Sequence, residues 1–332
     1  MIELKTPNNI KTLVPEDVIE DKSQKFQINN LKEIHEARKY YDENGYVIFK
    51  KVFSNEICNT IRSLWESEIK PYKGKIYRQT TSYLEVNKFN KNNWIMNPVL
   101  NIQSLNPKYF SGIRSYTEKN IFSYDKLCNI LKIFLDERPK FVQSMYFEGN
   151  SATWEHQDTY YLDSENIGSM IAGWIALENI AYDAGRFFIC PQSNKIDLIK
   201  QTKINNYAYN HQKYIQEIVS LIKKKNLKII APYLELGDVL FWNSKTIHGS
   251  LDSQSEVNSR SSITFHAIPE SHRFLQFQSR IKNIKINDLG ESLIFRPKDQ
   301  SKFTNKIIYK IEDTFPKAFN YVKKKLISIF VN

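Results

Sequence analysis

Hydrophobic and polar positions in the middle of the chain predict a set of β-strands. The segment Lys140–Phe147 mixes β-branched and aromatic residues, as strands typically do. Gly168–Leu177 is a nearly unbroken apolar run, which is typical of a buried strand, and Gly237–Asn243 predicts a further strand. Arg260–Ile268 alternates between polar and apolar side chains. Together these segments favour a β-sandwich.

The alternation within Arg260–Ile268 places its polar side chains on one face of the predicted strand. The members of this face are Arg260, Ser262, Thr264 and His266. Burying four polar side chains without partners would cost free energy, so we expect the face to line a polar cavity. An edge strand whose polar face contacts water is the alternative.

The regions outside these strands are predicted to be helical or irregular. Apolar spacing predicts helices at Leu31–Tyr41, Ser54–Ile69 (with Ser54 as N-cap), Tyr124–Leu135 and Asn206–Lys225. The expected organisation is an irregular arm at 1–30, one domain at 31–268 with a helical insert near 206–225, and a helical extension at 269–332. The extension ends in a basic amphipathic segment, which we expect to pack on the domain, although it would also suit a dimer contact or an anionic membrane surface.

The sequence His156-Gln-Asp158, followed at a distance by His248, is the main candidate for chemistry. Residues i and i+2 of an extended segment point to the same side, so His156 and Asp158 can bind one metal ion. A His from a second strand would complete the two-His, one-carboxylate arrangement of non-haem Fe(II) oxygenases. Arg260 offers a planar fork for the carboxylate of an oxo-acid cosubstrate. The alternative, a polar turn after Trp154, is disfavoured by the strands predicted on either side.

These residues lie in segments that together resemble the phytanoyl-CoA dioxygenase family of Fe(II)/2-oxoglutarate-dependent oxygenases. The segments that carry the resemblance are Tyr40–Ser54, Trp154–Tyr161, Ala172–Asn179, Asp183–Ser193, Gly237–Asp238 and His248–Arg260. The resemblance extends from about Leu31 to about Ile268. It implies a double-stranded β-helix, or jelly roll, that is mainly β with flanking helices.

The resemblance also implies roles for individual residues. It implies that His156, Asp158 and His248 are the metal ligands and catalytic residues. The residues that it implies for contact with 2-oxoglutarate are Gln143, Trp174, Ser250, Arg260 and Ser262. Asn194 stands where many relatives have His, but that position is not a metal ligand. Asp158 separates the chain from related halogenases, which carry a small residue there, so hydroxylation is favoured.

We therefore expect an enzyme that uses Fe(II), 2-oxoglutarate and O2 to hydroxylate a C–H bond of a small polar or anionic metabolite, with release of succinate and CO2. In relatives the region that corresponds to 72–115 supplies part of the substrate pocket wall. The alternatives are a catalytically inactive jelly-roll protein that binds a metal or ligand, a nucleic-acid-directed or chromatin-directed protein, and a zinc hydrolase. Histone-demethylase relatives hold 2-oxoglutarate with a Lys from a different strand, which disfavours the chromatin alternative.

The 332-residue chain is basic, with a formal net charge of +11 and a pI of about 9.2. Such a charge attracts anions. Much of it lies in runs such as Lys223–Lys228 and Lys323–Lys325, which are usually solvated faces. We therefore expect a small-molecule substrate rather than a nucleic acid, and a homo-oligomer is left open.

Cysteine usage and apolar segments bear on the cellular location. Cys58, Cys128 and Cys190 are far apart, which suggests neither a disulfide framework nor a zinc cluster. The sequence contains no apolar stretch of about eighteen residues, as a transmembrane helix would need. The N-terminus lacks the apolar core of a secretory signal. We expect a reducing cytoplasm.

Overall fold

A large, mostly antiparallel sheet forms the centre of the computed structural model, which describes residues 1–28, 31–149, 151–202 and 204–331. In chain order the strands are β1 (Ile2–Lys5), β2 (Lys11–Val14), β3 (Lys25–Phe26), β4 (Tyr46–Phe49), β5 (Ile76–Tyr77), β6 (Leu84–Glu85), β7 (Val99–Leu100), β8 (Pro139–Phe147), β9 (Thr153–His156), β10 (Leu162–Ser164), β11 (Ile171–Ala176), β12 (Phe187–Ile189), β13 (Val239–Asn243), β14 (His248–Ser250), β15 (Ser262–Pro269), β16 (Phe274–Gln276), β17 (Arg280–Lys282), β18 (Ile286–Asp288) and β19 (Leu293–Phe295). The helices are α1 (Leu31–Asn44), α2 (Asn55–Leu64), α3 (Ser111–Thr117), α4 (Asp125–Leu135), α5 (His211–Lys224), α6 (Phe303–Thr314) and α7 (Pro316–Val331).

The large sheet has the strand order β18-β19-β8-β15-β11-β13-β4-β3, and β7 also pairs with β8. A smaller sheet of β12, β14 and β9 carries the predicted metal ligands. A third sheet joins β10, β16 and β17, while β1 and β2, and β5 and β6, form hairpins. The four strands predicted from the sequence, β8, β15, β11 and β13, are therefore consecutive neighbours in the large sheet.

The two faces of the large sheet are covered differently. On one face, Trp174 of β11 packs with Ile189 of β12 in a cluster between the large and small sheets. On the other face, Phe265 of β15 belongs to a cluster that includes Ile61 of α2 and Leu131 of α4. This two-layered sandwich with helices outside confirms the predicted jelly-roll class.

The strand β11 lies between β15 and β13 in the large sheet and is buried on both faces. Burial on both faces explains why its sequence reads as an unbroken apolar run. Gly173 of this strand is the cross-strand partner of Phe265. A Cβ atom at Gly173 would lie 2.3 Å from the Phe265 ring, so this close approach requires glycine.

The helices agree with the apolar spacing, with small differences at their ends. The Ser54 side chain accepts a hydrogen bond from the Ile57 N–H, as predicted for an N-cap. The predicted helix Ser54–Ile69 is α2 continued by a π-helical turn at Trp65–Ile69. The predicted helical insert corresponds to α5, whose buried residues include Tyr214 and Ile218.

The prediction of an irregular N-terminal arm was wrong for about a third of its length, which forms strands. β1 and β2 form an antiparallel hairpin, and β3 pairs in parallel with β4 at the edge of the large sheet. Residues 29–30 lie outside the described part of the chain. The polar composition concealed these strands because only every second residue of β2, Thr12 and Val14, is buried.

The prediction of a helical extension from residue 269 was also wrong in its first half. The chain between 274 and 295 forms β16, β17, β18 and β19 before α6 begins. β19 pairs in parallel with β8, and β16 pairs with β10. A free edge of β8 would expose unpaired backbone groups, so the extension completes the sheet rather than following it.

The helices of the described residues also bear on membrane insertion. None of the helices there combines the length and the apolar character that a bilayer span needs. This finding agrees with the absence of a long apolar stretch in the sequence.

Candidate metal centre and cosubstrate cavity

His156 and His248 face each other across two neighbouring strands of the small sheet. β9 ends at His156 and β14 begins at His248, and the two residues are direct cross-strand partners. Their ring centroids are 4.3 Å apart. Antiparallel pairing thus joins two histidines that are far apart in the sequence.

Asp158 reaches the same place because the chain stays extended for one residue beyond β9. Gln157 has φ −109° and ψ 133°, and a 3-10 turn begins at Asp158. The Asp158 Oδ1 atom is 3.6 Å from His156 Nε2 and 3.5 Å from His248 Nε2. The three ligand atoms lie within 4.8 Å of one another. The structure therefore brings together the triad that the sequence predicted.

Hydrogen bonds to neighbouring groups orient each member of the triad. The Nδ1–H of His156 donates to the Trp154 carbonyl at 2.8 Å, and that of His248 donates to the Thr246 carbonyl at 2.9 Å. This leaves Nε2 of both rings free for a metal. The Trp242 indole N–H donates to Asp158 Oδ2 at 2.8 Å. The donor set therefore fits a divalent transition metal.

The pKa shifts of His156 and Asp158 also suit a metal. Burial lowers the pKa of His156, and the neighbouring His248 lowers it further. Burial alone would raise the pKa of Asp158, but His248 and His266 hold it well below its usual value. Neutral imidazoles and an ionised carboxylate are the forms that bind metals.

Arg260 is a buried cation without an acidic partner among the described residues. It is 2% exposed, its Nη1 donates to the Gly185 carbonyl at 3.1 Å, and its Nε has no partner there. The guanidinium lies 4.9 Å from the Phe147 ring centroid and 5.8 Å from that of Trp174. Burial lowers the pKa of Arg260 to about 9. An unpaired buried charge is costly, so this site fits a ligand carboxylate.

One cavity of about 250 Å³ contains both the triad and Arg260, and we name it the triad cavity. Gln143, Trp174 and Ser250, three of the residues expected to contact 2-oxoglutarate, line it. Ser262 is not among its lining residues, and the Ser262 hydroxyl donates to the Arg260 carbonyl at 3.1 Å. The contacts of these residues with 2-oxoglutarate stay predictions. Ser262 differs from the others because its side chain does not line the triad cavity.

The polar face of β15 lines the triad cavity, and β15 is not a solvent-exposed edge strand. Arg260, Thr264 and His266 line the cavity, while Ile263 and Phe265 lie in the apolar cluster on the other face. β15 is an interior strand between β8 and β11. The cavity interpretation of the alternating pattern is therefore correct.

Two functional contacts were missed by the sequence reasoning. His266 Nε2 lies 3.3 Å from Asp158 Oδ2. The other two histidines contact the other carboxylate oxygen, Oδ1. Trp242 donates to the same oxygen. The alternation did place His266 on the cavity face, but Trp242 lies in an apolar strand and gave no signal beyond that of a core residue.

Two further polar residues, Asn194 and His211, are not part of the triad. Asn194 is absent from the lining of the triad cavity, and its amide donates to the Asp42 carbonyl at 3.4 Å. His211 Nε2 is 2.6 Å from the Tyr161 hydroxyl, and burial lowers the pKa of His211 to about 4. Among the described residues the metal-ligand group contains neither of them.

Comparison with known proteins gives matches to one family. The family model for phytanoyl-CoA dioxygenase (PhyH) matches residues 41–262, more than half of the chain. The chain is 24% identical over 257 residues to the peroxisomal phytanoyl-CoA dioxygenase of Bos taurus, covering 70% of this chain and 68% of that protein. It is 22% identical over 242 residues to the Homo sapiens enzyme, covering 67% of this chain and 64% of that protein.

Solved structures share the fold at low sequence identity. The non-heme alpha ketoglutarate dependent epimerase SnoN from nogalamycin biosynthesis has a TM-score of 0.54 and 11% identity, covering 81% of this chain and 100% of that one. SnoN in complex with Fe3+, alpha ketoglutarate and nogalamycin RO has the same TM-score of 0.54, with 12% identity and the same coverage of 81% and 100%. The carbocyclase SnoK has a TM-score of 0.53 and 14% identity, covering 72% and 85%. The chain belongs to the phytanoyl-CoA dioxygenase family and is a 2-oxoglutarate-dependent non-haem iron oxygenase.

Proposed function

We propose that this oxygenase hydroxylates a C–H bond of a small polar or anionic metabolite, with release of succinate and CO2. His156, Asp158 and His248 are proposed to hold Fe(II), and Arg260 to bind the distal carboxylate of 2-oxoglutarate. One observation carries the proposal: the clustered metal-ligand atoms share a cavity with a buried guanidinium that has no acidic partner among the described residues.

Iron and 2-oxoglutarate, when held by these residues, would supply the oxidising chemistry that uses O2 to hydroxylate a C–H bond. The protein fixes the ligands, orients the cosubstrate and excludes water. Hydrogen bonds from the two Nδ1–H groups hold His156 and His248 in the tautomer that presents Nε2. The Phe147 and Trp174 rings beside Arg260 keep its guanidinium desolvated, which strengthens its pairing with a carboxylate.

The substrate would occupy the part of the triad cavity that lies away from Arg260. The residues Gln79, Thr80, Ser82 and Leu100 line the triad cavity. These residues fall within 72–115, the region expected to contribute to the pocket wall. Tyr207, close to α5, lines the cavity as well. A mixture of hydroxyl, amide and apolar groups supports a small polar substrate.

Two features of the residues bear on the product and the location. The presence of Asp158 supports hydroxylation, because related halogenases carry a small residue at that position. Cys58, Cys128 and Cys190 are unpaired and buried, which suits a reducing compartment. The cytoplasm is therefore our proposed location.

The experiment is an anaerobic titration of the protein with Fe(II) and 2-oxoglutarate. We expect the weak visible charge-transfer band of the iron chelate to appear only when both are present. Arg260→Ala should retain iron and weaken 2-oxoglutarate binding by at least about tenfold, because a charge-assisted bidentate pair is lost. Arg273→Ala, at an exposed arginine paired with Glu165, is the matched control.

The outcomes separate the alternatives. Absence of the band with folded wild-type protein would favour an inactive jelly-roll binding protein. Anaerobic turnover of a substrate without 2-oxoglutarate would favour a zinc hydrolase. Retention on DNA at physiological salt would favour a nucleic-acid-directed protein. With substrate and O2, a product heavier by one oxygen atom, formed together with succinate, is the result expected for hydroxylation.

A further inference from the structure

A second cavity adjoins the triad cavity. Its volume is about 460 Å³. The two cavities share lining residues at their junction, which are Ser82, Leu100, Gln143, Tyr207, Phe274, Gln276 and Phe277. The far wall comes from the C-terminal part of the chain, including β17 and α7. A ligand that entered this cavity could therefore extend to the triad.

Cationic side chains line the second cavity, and we name it the basic cavity. They are Arg280, Lys282, Lys298 and Lys323. No Asp or Glu is among its described lining residues. Glu312, which is buried on α6, pairs with Lys298 at 3.0 Å. Glu312 is therefore the acidic partner of one of the three lysines, and the four cations come from three separate parts of the chain.

The cations of the basic cavity lie close enough to affect one another. Burial lowers the pKa of Lys282, and Arg280 and Lys298 lower it further. Burial, and then the charge of Lys298, lower the pKa of Lys323 to about 8. Like charges that converge in a partly buried space are unfavourable without a counter-charge, and perturbed charged groups in a cavity make it a candidate binding site.

Two of the four lysine and arginine side chains have contacts that orient them without neutralising them. The Lys323 ammonium donates to the Ser82 carbonyl at 3.1 Å and lies 5.0 Å from the Tyr83 ring centroid. The Lys282 ammonium lies 5.3 Å from the Phe295 ring centroid, and no carboxylate within the described residues forms an ion pair with it. These contacts hold both ammonium groups at the cavity.

Apolar side chains form the rest of the basic cavity. They include Leu105, Val142, Phe274, Phe295, Phe319 and Val322. A cavity with an apolar wall and converging cations is complementary to an amphipathic anion, because each part of such a ligand finds a matching surface. Lysine ammonium groups act as point charges that suit a phosphate.

We propose that the basic cavity binds a phosphate-type dianionic group at the non-reacting end of the substrate. The apolar part of the substrate then passes the junction and presents a C–H bond at the triad. This assignment rests on the proposed function, because the substrate must reach the iron. It narrows the substrate class from a polar or anionic metabolite to an amphipathic phosphate ester.

The test uses phenyl phosphate as the probe, titrated calorimetrically and anaerobically into the full chain loaded with Fe(II) and 2-oxoglutarate. The site variant is Lys282→Gln with Lys323→Gln. The control variant is Lys285→Gln with Lys324→Gln, which removes the same charge from two exposed lysines nearby that do not line the cavity. Methyl phosphate and benzyl alcohol serve as probes that lack the apolar part and the charge, respectively.

We expect saturable binding of phenyl phosphate to the wild type and to the control variant, within about twofold of each other. The site variant should bind it about 100-fold more weakly, at roughly tenfold for each ammonium removed. Equal losses in both double variants would overturn the assignment, as would benzyl alcohol binding as tightly as phenyl phosphate. If methyl phosphate bound as tightly as phenyl phosphate, the site would recognise the phosphate group alone. That result would overturn the proposal that the substrate is amphipathic.

The visible charge-transfer band, recorded in the same samples, keeps the two proposals separate. Its presence in all three proteins shows that the triad is intact, and melting temperatures within a few degrees show that the variants are folded. If the band forms but the lysine substitutions have no effect, only the anion site is rejected. If the band is absent from the wild type, the proposed function fails irrespective of phosphate binding.

Discussion

The triad cavity and the basic cavity meet at shared residues but are built in different ways. In the triad cavity, Asp158 lies against three histidines and accepts from the Trp242 N–H, while Arg260 has no acidic partner among the described residues. In the basic cavity, cations converge from β17, α7 and the segment after β19. The first cavity is built on paired strands of the core, and the second on peripheral strands and a docked tail.

This difference implies two kinds of ligand recognition. The triad is preorganised by hydrogen bonds to backbone carbonyls, which do not depend on what occupies the rest of the cavity. In the basic cavity, Glu312 pairs with Lys298, and we expect a bound anion to balance the charges of Lys282 and Lys323, which have no ion pair among the described residues. Disrupting one cavity should therefore leave binding in the other largely unchanged.

The largest expected effect comes from His248→Ala. Loss of a residue that only hydrogen-bonds a metal ligand weakens metal binding by up to about 100-fold. Removal of one of the three ligands themselves should therefore weaken Fe(II) binding by at least about 100-fold. Phenyl phosphate affinity should stay within about twofold of the wild type. His35→Ala, at an exposed histidine on α1, is the control. Bound iron after desalting and calorimetry measure the two affinities, and a parallel loss of both would show that the cavities are not independent.

A smaller effect is expected for Trp242→Phe. This change removes the N–H that donates to Asp158 Oδ2 at 2.8 Å but keeps an aromatic ring in the core. Loss of such an orienting partner should weaken iron binding about tenfold. Trp94→Phe, at a half-buried tryptophan outside both cavities, is the control for an indole change. Iron affinity equal to that of the wild type would mean that the indole does not orient Asp158.

The triad cavity was largely predictable because its parts follow strand rules. Alternation fixed the face that carries Arg260, and the i, i+2 spacing placed His156 and Asp158 on one side of an extended segment. That His248 joins them from a second strand was predicted from the two-His, one-carboxylate pattern, whereas its direct cross-strand pairing with His156 was found only in the structure. The contact of Trp242 with Asp158 could not be predicted, since a tryptophan in an apolar strand has the same pattern whether or not its N–H meets a ligand.

The basic cavity was not predictable from the pattern of residues. Its strands β16 and β17 are three residues long, too short for a reliable alternation. Lys323 lies in a run of three lysines, which normally indicates a solvated face. Its role depends on where α7 docks, and docking is a tertiary event that local sequence does not encode. The structure shows Phe319 and Val322 of α7 lining the cavity, as expected if the tail packs on the domain.

A pH dependence should appear in the basic cavity. The pKa of Lys323 is lowered to about 8 by burial and by Lys298, so Lys323 loses its charge as the pH rises through that value. The other charged groups facing it are Glu312, Lys282 and Arg280. Phenyl phosphate stays dianionic above its second pKa of about 6.

Phenyl phosphate binding to the wild type should therefore weaken by about tenfold between about pH 6.5 and pH 9, the effect of removing one ammonium. Lys323→Gln should bind weakly at the lower pH and show little further change. Calorimetry at several pH values measures this, and Lys324→Gln should follow the wild type. A wild-type affinity that is constant over this range would mean that Lys323 does not contact the anion.

The smallest expected effect, and the one of opposite sign, comes from Glu312→Gln. Glu312 accepts a hydrogen bond from the Tyr77 hydroxyl at 2.9 Å and pairs with Lys298 at 3.0 Å. Glutamine can still accept from Tyr77, but it no longer offsets the charge of Lys298. Phenyl phosphate affinity should therefore rise by about threefold, since the attraction acts through a partly screened distance. Asp313→Asn, next to it on α6 and outside the lining of the basic cavity, should leave affinity unchanged. A loss of affinity in Glu312→Gln would show instead that the ion pair is needed to hold Lys298 at the cavity, so that this acid supports the cation cluster rather than weakening it.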